Sequence, residues 1–309
     1  MNSALQGSLF PEEILSPRAE SASNTELSLA LQTPSFPSAQ PWTEALTSPH
    51  RNLHLGLCSF DDPDWSGTFF QDEEEDPLAA YARFLSHVEI DSTEYGLPDR
   101  DVLDSWVERT PENFSFSLKF PREITHERML DQVEYLTRSF LDSASRLGSK
   151  LGPFLIQFPN HFRATRFMHL ASFLEKLPTE FRYAVEVRDK GWLRDPFFEL
   201  LESHKVALAL VDHPYWGRLE KRTANFFYVR WLGDRSETPA PYLGLQRDPA
   251  TALRWWTRRL KPVLDAGFPV YGFASNAFAG HAPETLRSLS ALFQEPNPST
   301  RRFSRGFVR

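Results

Sequence analysis

From Leu53 to the end of the last helical pattern, short apolar runs alternate with longer stretches of helical periodicity, and this alternation restricts the fold more than any other feature. The β-rich runs are Leu53–Cys58, His87–Asp91, Phe114–Lys119, Pro153–Phe158, Arg182–Arg188, Val206–Asp212, Phe226–Trp231 and Pro269–Ala274. Each has strand length and is rich in Val, Ile, Leu or Phe. Between most of them lie helical patterns. The clearest spans His126–Leu147, with Met129, Leu130, Val133, Leu136, Phe140, Leu141, Ala144 and Leu147 on one stripe and Gly148 to close it. Another opens at Asp248-Pro249, an N-cap followed by proline at the first helical position, and runs through Leu253, Trp256, Leu260 and Leu264. The segment after the sixth strand, HPYWGRLEKRTAN, has a poor helical pattern, so the sixth helix is expected to be weak or irregular. Roughly 240 residues of repeated strand–helix units approach the ~250 of a closed, TIM-type (β/α)8 barrel, an α/β fold. An open α/β sheet is the alternative.

The two ends differ from this core. Residues 1–52 are dominated by Ser, Pro, Ala and Gln and show no sustained periodicity. Such a stretch buries too little apolar surface to offset its ordering entropy, so it is expected to be a disordered arm. The barrel domain is expected over residues 53–295. Residues 296–309, PNPSTRRFSRGFVR, form a short basic tail.

Composition excludes several functions. In 309 residues, 34 Lys and Arg face 41 Asp and Glu, a formal net charge of −7 that argues against a general nucleic-acid coat or a basic membrane-surface protein. A single cysteine excludes an intrachain disulfide framework and a Cys-cluster zinc site. No apolar run approaches the ~18 residues of a membrane span, and the N-terminus lacks a signal pattern; a cytoplasmic location is expected.

Alternation along each strand sorts residues between the helix-facing surface and the barrel interior. Val88 and Ile90 face the helices, which leaves Glu89 and Asp91 inward. The same reasoning turns Ser115, Ser117 and Lys119 inward, then Glu186 and Arg188, then Tyr228 and Arg230. Asp212 and Gln157 stand at strand ends, and Asn276 follows the eighth strand. Nearly all lie at carboxyl-terminal strand ends, the rim on which barrel enzymes build active sites. Burying such charges is costly unless they are paired, so a self-neutralising ion network is the competing interpretation. Glu89, one layer deeper than Asp91, fits that structural role. As a set drawn from at least five strands, these groups point to a ligand site. On that view, replacing Lys119 or Arg230 should leave stability unchanged or raised, because an empty anion site holds like charges together.

The stretch VEIDSTEYGLP (88–98), with TPENFSFSLKFPREITH (110–126), KLGPFLIQFP (150–159), AVEVRDKGW (184–192), FFYVRWLG (226–233) and VYGFASNAFAGHAP (270–283), resembles the YecE-like family, domain of unknown function 72. The resemblance covers residues 53–293 in order. It implies a TIM-type barrel and a probable site, but no reaction. The chain departs from the family pattern at four places. Where V-E-[IV]-N-S-T-F-Y is usual, Asp91 replaces Asn and Glu94 replaces Phe. The histidine of R-x-H-G is Leu232, and the F-N-N-H stretch reads Ala274-Ser275-Asn276-Ala277, with one Asn and the His lost. If those histidines do chemistry in the family, this chain has altered or lost it.

Glu186 and Asp91, with Lys119 and Asp212, are the candidate catalytic groups, and Arg188 and Arg230 would hold a phosphate or carboxylate. Lys119 could alternatively act as a Schiff-base nucleophile, which nearby carboxylates oppose. Gln157, Asn276, Tyr95, Trp192, His126 and His281 are candidate substrate-binding groups, and Tyr95, Trp192, Tyr215 and Trp216 could stack on a base or sugar. A divalent metal is a further candidate, from Glu186, Asp212, His213, His126 and His281, although no tight ligand spacing supports it. Cys58 is expected to be a small buried residue. The functional expectation is an enzyme acting on a phosphorylated or other anionic small molecule. A metal-dependent, nuclease-like hydrolase on nucleic acid and a non-catalytic binding or adaptor protein are the alternatives. In the arm, Gln6, Leu9 and Phe10 resemble the Q-x-x-L-F peptides that dock bacterial DNA-repair proteins onto the sliding clamp, a possible partner.

Overall fold

Eight parallel strands form one sheet in the order β3-β2-β1-β8-β7-β6-β5-β4. They are β1 (Leu53–Leu57), β2 (His87–Ile90), β3 (Ser115–Leu118), β4 (Phe154–Gln157), β5 (Tyr183–Glu186), β6 (Ala207–Asp212), β7 (Phe227–Trp231) and β8 (Val270–Ala274). The computed structural model describes residue 36 and residues 39–71 and 76–295. The Gln6–Phe10 peptide, the rest of residues 1–35 and the basic tail lie outside them. Sheet closure comes at β3 and β4, where Phe116 pairs with Leu151 and Lys119 with Leu155. The amides of Gly152 and Phe120 donate to Phe116 and Leu155 carbonyls, each at 2.8 Å. The TIM-type barrel is therefore closed, and the open-sheet alternative is excluded.

Helices α1 (Pro77–Phe84), α2 (Arg100–Glu108), α3 (Glu134–Ala144), α4 (Phe167–Glu175), α5 (Asp195–Ser203), α6 (Ala250–Asp265) and α7 (Ala282–Gln294) fill the crossovers. No helix occurs among residues 213–226, the weak sixth connection anticipated from the sequence. The long helix expected over His126–Leu147 is interrupted. A π turn at Glu123–Glu127 comes first, and the chain then passes through left-handed conformations at Met129, Leu130 and Gln132 before α3 begins. Leu130 and Val133 are buried all the same. The apolar stripe records contact with the core and not continuity of the helix.

The arm boundary also moves. Residues 39–52, assigned to the arm from composition, pack against the barrel: Trp42 is 2% exposed and meets Phe69 edge-on at 5.0 Å. The amides of Ala39, Trp42 and Leu46 donate to the carbonyls of Leu243, Phe69 and Phe84.

Inside the barrel, β6 contributes the small Ala207 and Ala209, making room for Leu155, Tyr228, Tyr271 and Phe273. The amino-terminal end is plugged by His54, stacked on Tyr271 at 4.6 Å, with His87 beside it. Burial lowers His54 to about 4 and His87 to about 3, so both are neutral at physiological pH.

Candidate active site at the carboxyl-terminal mouth

Arg230, on β7, is the hub of the mouth. Its guanidinium donates to Glu89 Oε1 through Nε and Nη2 at 3.0 and 2.7 Å, and to Glu186 Oε2 through Nη1 at 2.7 Å. Nη2 also reaches Asp91 Oδ1 at 2.9 Å. Tyr228, two residues earlier on the same inward face, donates its hydroxyl to Glu89 Oε2. Arg230 is 1% exposed and Glu89 fully buried. Burial pushes the Glu89 carboxyl up, an effect that Arg230 and Tyr228 offset only in part. Burial would also raise Glu186, but the charges of Arg230 and Arg188 outweigh it and hold that carboxyl below the ordinary range.

A second layer sits above this hub. Asp91 and Glu94 stand three residues apart on a 3-10 turn (Asp91–Glu94), where positions i and i+3 eclipse, so both face Lys119 at the end of β3. Lys119 Nζ is paired with Glu94 and lies 3.8 Å from Asp91 Oδ1. Burial opposes ionisation of Glu94, yet the Lys119 hydrogen bond and charge hold its carboxyl below the usual range. From Glu186 a chain of contacts runs outward: Arg188 Nε reaches Glu186 Oε1 at 3.2 Å, and Arg188 Nη2 reaches Gln157 Oε1 at 3.1 Å. Gln157 Nε2 is 3.4 Å from His126 Nε2, and Thr125 Oγ1 is 2.8 Å from His126 Nδ1. Burial, then the charges of Arg122 and Lys119, lower His126 to about 4. Its imidazole is neutral at pH 7.

These groups open into a cleft of about 1120 Å³. Of the residues expected at the site, Asp91, Lys119, Gln157, Glu186, Arg188, Arg230, Tyr95, His126 and Asn276 all line it. Three others do not. Trp192 is buried beneath the rim, stacked on Phe162 at 5.3 Å with its indole N–H given to the Phe162 carbonyl. His281 is buried as the N-cap of α7, accepting from Glu284 N and lying 3.2 Å from Thr68 Oγ1. Asp212 points outward, because Leu208 and Leu210 pack against the helices and Asp212 shares their parity. Its Oδ2 accepts from Trp256 Nε1 at 2.6 Å and from Arg218 Nε at 2.9 Å. Two residues at the mouth have their polar atoms already engaged. Arg230 spends its donors on carboxylates and organises them, which removes it from the anion-binding set. Asn276 accepts from Trp65 Nε1 and Ala282 N and donates to Asp62.

Sequence reasoning left out Arg122 and Asp62, which also line the cleft, and named Glu94 only as a departure from the family pattern. Its spacing from Asp91 was the available signal. For a metal, the nearest group is Cys58, Glu89 and Asp91, whose potential ligand atoms lie within 4.8 Å of one another. These donors fit a cation poorly. Arg230 already occupies both carboxylates, and burial, then the charge of Glu89, pushes the Cys58 thiol up.

The family described as "protein of unknown function DUF72" is matched by residues 54–304. This chain is a DUF72 protein. Among curated relatives, the UPF0759 protein YecE of Escherichia coli K12 is 35% identical over 136 residues, 44% of this chain and 48% of that protein. The UPF0759 protein YunF of Bacillus subtilis is 27% identical over 154 residues, 48% of this chain and 54% of that one. The chain thus matches about half the length of these relatives. A crystal structure of a DUF72 family protein from Thermotoga maritima superposes with a TM-score of 0.67 at 22% identity, covering 79% of this chain and 99% of that one. One from Enterococcus faecalis gives 0.63 at 21%, covering 79% and 96%. These structures share the fold. Within the DUF72 domain, Leu232 and Ala277, which depart from the family pattern described above, both line the cleft. Gly233 remains, with φ of 62°, and a Cβ there would lie 2.1 Å from the Ala277 carbonyl oxygen. No helix among the described residues is long and apolar enough to cross a membrane.

Proposed function

We propose that this DUF72 protein is an enzyme acting on a phosphorylated or otherwise anionic substrate held in the carboxyl-terminal mouth. The supporting observation is the separation of charge across the cleft. On the β3–β5 side stand Arg122, which has no ion pair among the described residues, and Arg188, whose side chain is 39% exposed. Neutral His126 lies between them and adds hydrogen-bonding capacity without a charge of its own. Arg122 and Arg188 are the anion-holding groups. On the β2 side Asp91, also 39% exposed, is the open carboxylate of the Arg230 network. It is the group that exchanges a proton with the substrate, positioned by Arg230 and next to the Lys119 ammonium. Glu186 and Glu89 hold Arg230 in place and do not reach the substrate.

The test is incubation of the purified protein with a metabolite extract, read by mass spectrometry, with Asp91→Asn in parallel. The expected result is depletion of an anionic compound by the wild type, with depletion by Asp91→Asn at least about a hundredfold slower and binding retained. Capture of neutral or cationic compounds alone, or equal depletion by both proteins, would overturn the reading.

A further inference from the structure

We infer that the anion taken by this mouth carries a planar nucleobase: it is a nucleotide, free or as a unit of a single strand, with its base stacked on a rim tyrosine. The inference rests on the anionic-substrate reading and names the class. Six large hydrophobic side chains are exposed among the described residues, and two of them, Tyr95 at 79% and Tyr215 at 70%, line this one cleft. They rise from opposite sides. Tyr95 follows β2 and Tyr215 follows β6, four strands apart in the eight-stranded circle.

Neither ring is held out by accident of a loose loop. Tyr95 closes the 3-10 turn, its amide donating to the Ser92 carbonyl at 3.1 Å, next to Glu94, which is anchored on Lys119. The Tyr215 amide donates to His213 Nδ1 at 3.2 Å, and the two rings lie 5.3 Å apart. Trp216 N then closes the turn on the His213 carbonyl. A ring fixed in water forgoes its burial free energy, which a stacked base would restore.

The charges of the rim differ from those of the floor. At the floor Lys119, Arg188 and Arg230 are all paired with carboxylates. At the rim Arg122, Lys190 and Arg235 line the same cleft, and no ion pair occupies any of them among the described residues. Aromatic faces interleaved with open cations, above a floor whose cations are already paired, are the elements of a stacking platform for phosphate esters of nucleosides. The cleft, at about 1120 Å³, also exceeds the ~300–1,000 Å³ common for small-ligand sites, which leaves space for base, sugar and phosphate together.

The experiment follows a fluorescein-labelled oligothymidylate of about 12 nucleotides, within single-strand site sizes, by anisotropy. Thymidine monophosphate, ribose 5-phosphate and a duplex of the same length serve as competitors. Tyr95→Ala and Tyr215→Ala are each expected to weaken the thymidine ligands by about five- to a hundredfold and to leave ribose 5-phosphate unchanged. Tyr215→Phe, which keeps the ring, should retain affinity within roughly twofold. An oligomer that binds much more tightly than the mononucleotide identifies a single strand as the source; equal affinities identify the free nucleotide. Ribose 5-phosphate binding as tightly as the nucleotide, with dependence on Arg122, would overturn the inference while leaving the anionic-substrate reading intact. Duplex bound in preference would also overturn it, since paired bases present no face to a tyrosine. Binding of no phosphate ester at all would remove both.

Discussion

Replacing Arg230 with methionine tests the organisation of the mouth most directly. The substitution removes the counter-ion shared by Glu89, Glu186 and Asp91 while nearly preserving side-chain length. Sequence reasoning expected no loss of stability, on the premise that Arg230 waits for an anion. The structure reverses that expectation. Glu89 and Glu186 are 0% and 2% exposed, so each would become a buried charge without its partner. Breaking a buried pair in this way costs about 3–5 kcal/mol. For a domain of this size each kcal/mol lowers the melting temperature by about 2–4 °C, which predicts a loss of about 6–20 °C.

The pH dependence supplies a second, independent sign. In the wild type the Glu186 carboxyl lies below its unfolded value, so it contributes stability at neutral pH that is lost as pH falls. In Arg230→Met, burial dominates and raises Glu89 and Glu186 above their unfolded values. The variant then regains stability as those groups take up protons, and the gap to wild type narrows from pH 7.5 towards pH 5. Urea denaturation at both pH values measures it. Adding Glu89→Gln, which removes one orphaned charge and keeps an acceptor for Tyr228, should recover part of the loss. An unchanged urea midpoint at pH 7.5, or a gap that widens on acidification, would refute the reasoning.

Two further outcomes concern residues that the structure moved. Asp212→Ala should cost about 1–3 kcal/mol by leaving the buried Trp256 indole N–H without an acceptor. Because Asp212 faces the helices, ligand retention at the mouth should be unchanged in the folded protein, as read by calorimetric titration. A chain starting at residue 53 should melt well below one starting at residue 39, since the packing of Trp42 is lost; truncating a buried tryptophan typically costs about 3–5 kcal/mol. Equal melting curves would return residues 39–52 to the arm.

The parts of the fold legible in the sequence are those that repeat. Every strand expected from the sequence is present, trimmed by one to three residues in all, because buried parallel strands need apolar side chains on almost every position. Features set by a single contact were not legible. Trp42 lies in a Ser- and Pro-rich stretch with no periodicity, and only its pocket against Phe69 and Phe84 makes it part of the domain. The interruption at Met129–Gln132 leaves the apolar spacing intact, so periodicity alone could not detect it. At the site, alternation placed Glu89, Asp91, Lys119, Glu186, Arg188 and Arg230 correctly at one mouth. It could not reveal that Arg230 would be saturated by carboxylates, since alternation assigns faces and not partners. Asp212 was taken for a mouth residue because it ends a strand, although its parity with Leu208 and Leu210 already pointed outward.

The departures from the family pattern are linked in space, and that linkage can be tested. Asp91 and Glu94, which stand where Asn and Phe are usual, are the two carboxylates that face Lys119. Leu232 and Ala277, where the family pattern described above has histidines, line the β7–β8 side of the same cleft. Relative to that pattern, this chain carries ionisable groups beside β2 and apolar ones beside β7 and β8. The floor now holds four carboxylates, Glu89, Asp91, Glu94 and Glu186, against three cations, Lys119, Arg188 and Arg230, one net negative charge. Restoring the usual residues with Asp91→Asn and Glu94→Phe removes two carboxylates and leaves one net positive charge. At an effective dielectric of ~20, each charge ~8 Å from a bound anion is worth about 2 kcal/mol. The double variant should thus bind inorganic phosphate more than about tenfold more tightly at low ionic strength, with the gain shrinking in salt. Turnover of any substrate that depends on Asp91 for proton transfer should disappear at the same time. Tighter binding with lost turnover separates the two roles of the mouth. Unchanged phosphate affinity at low salt would mean that anions do not bind near this network.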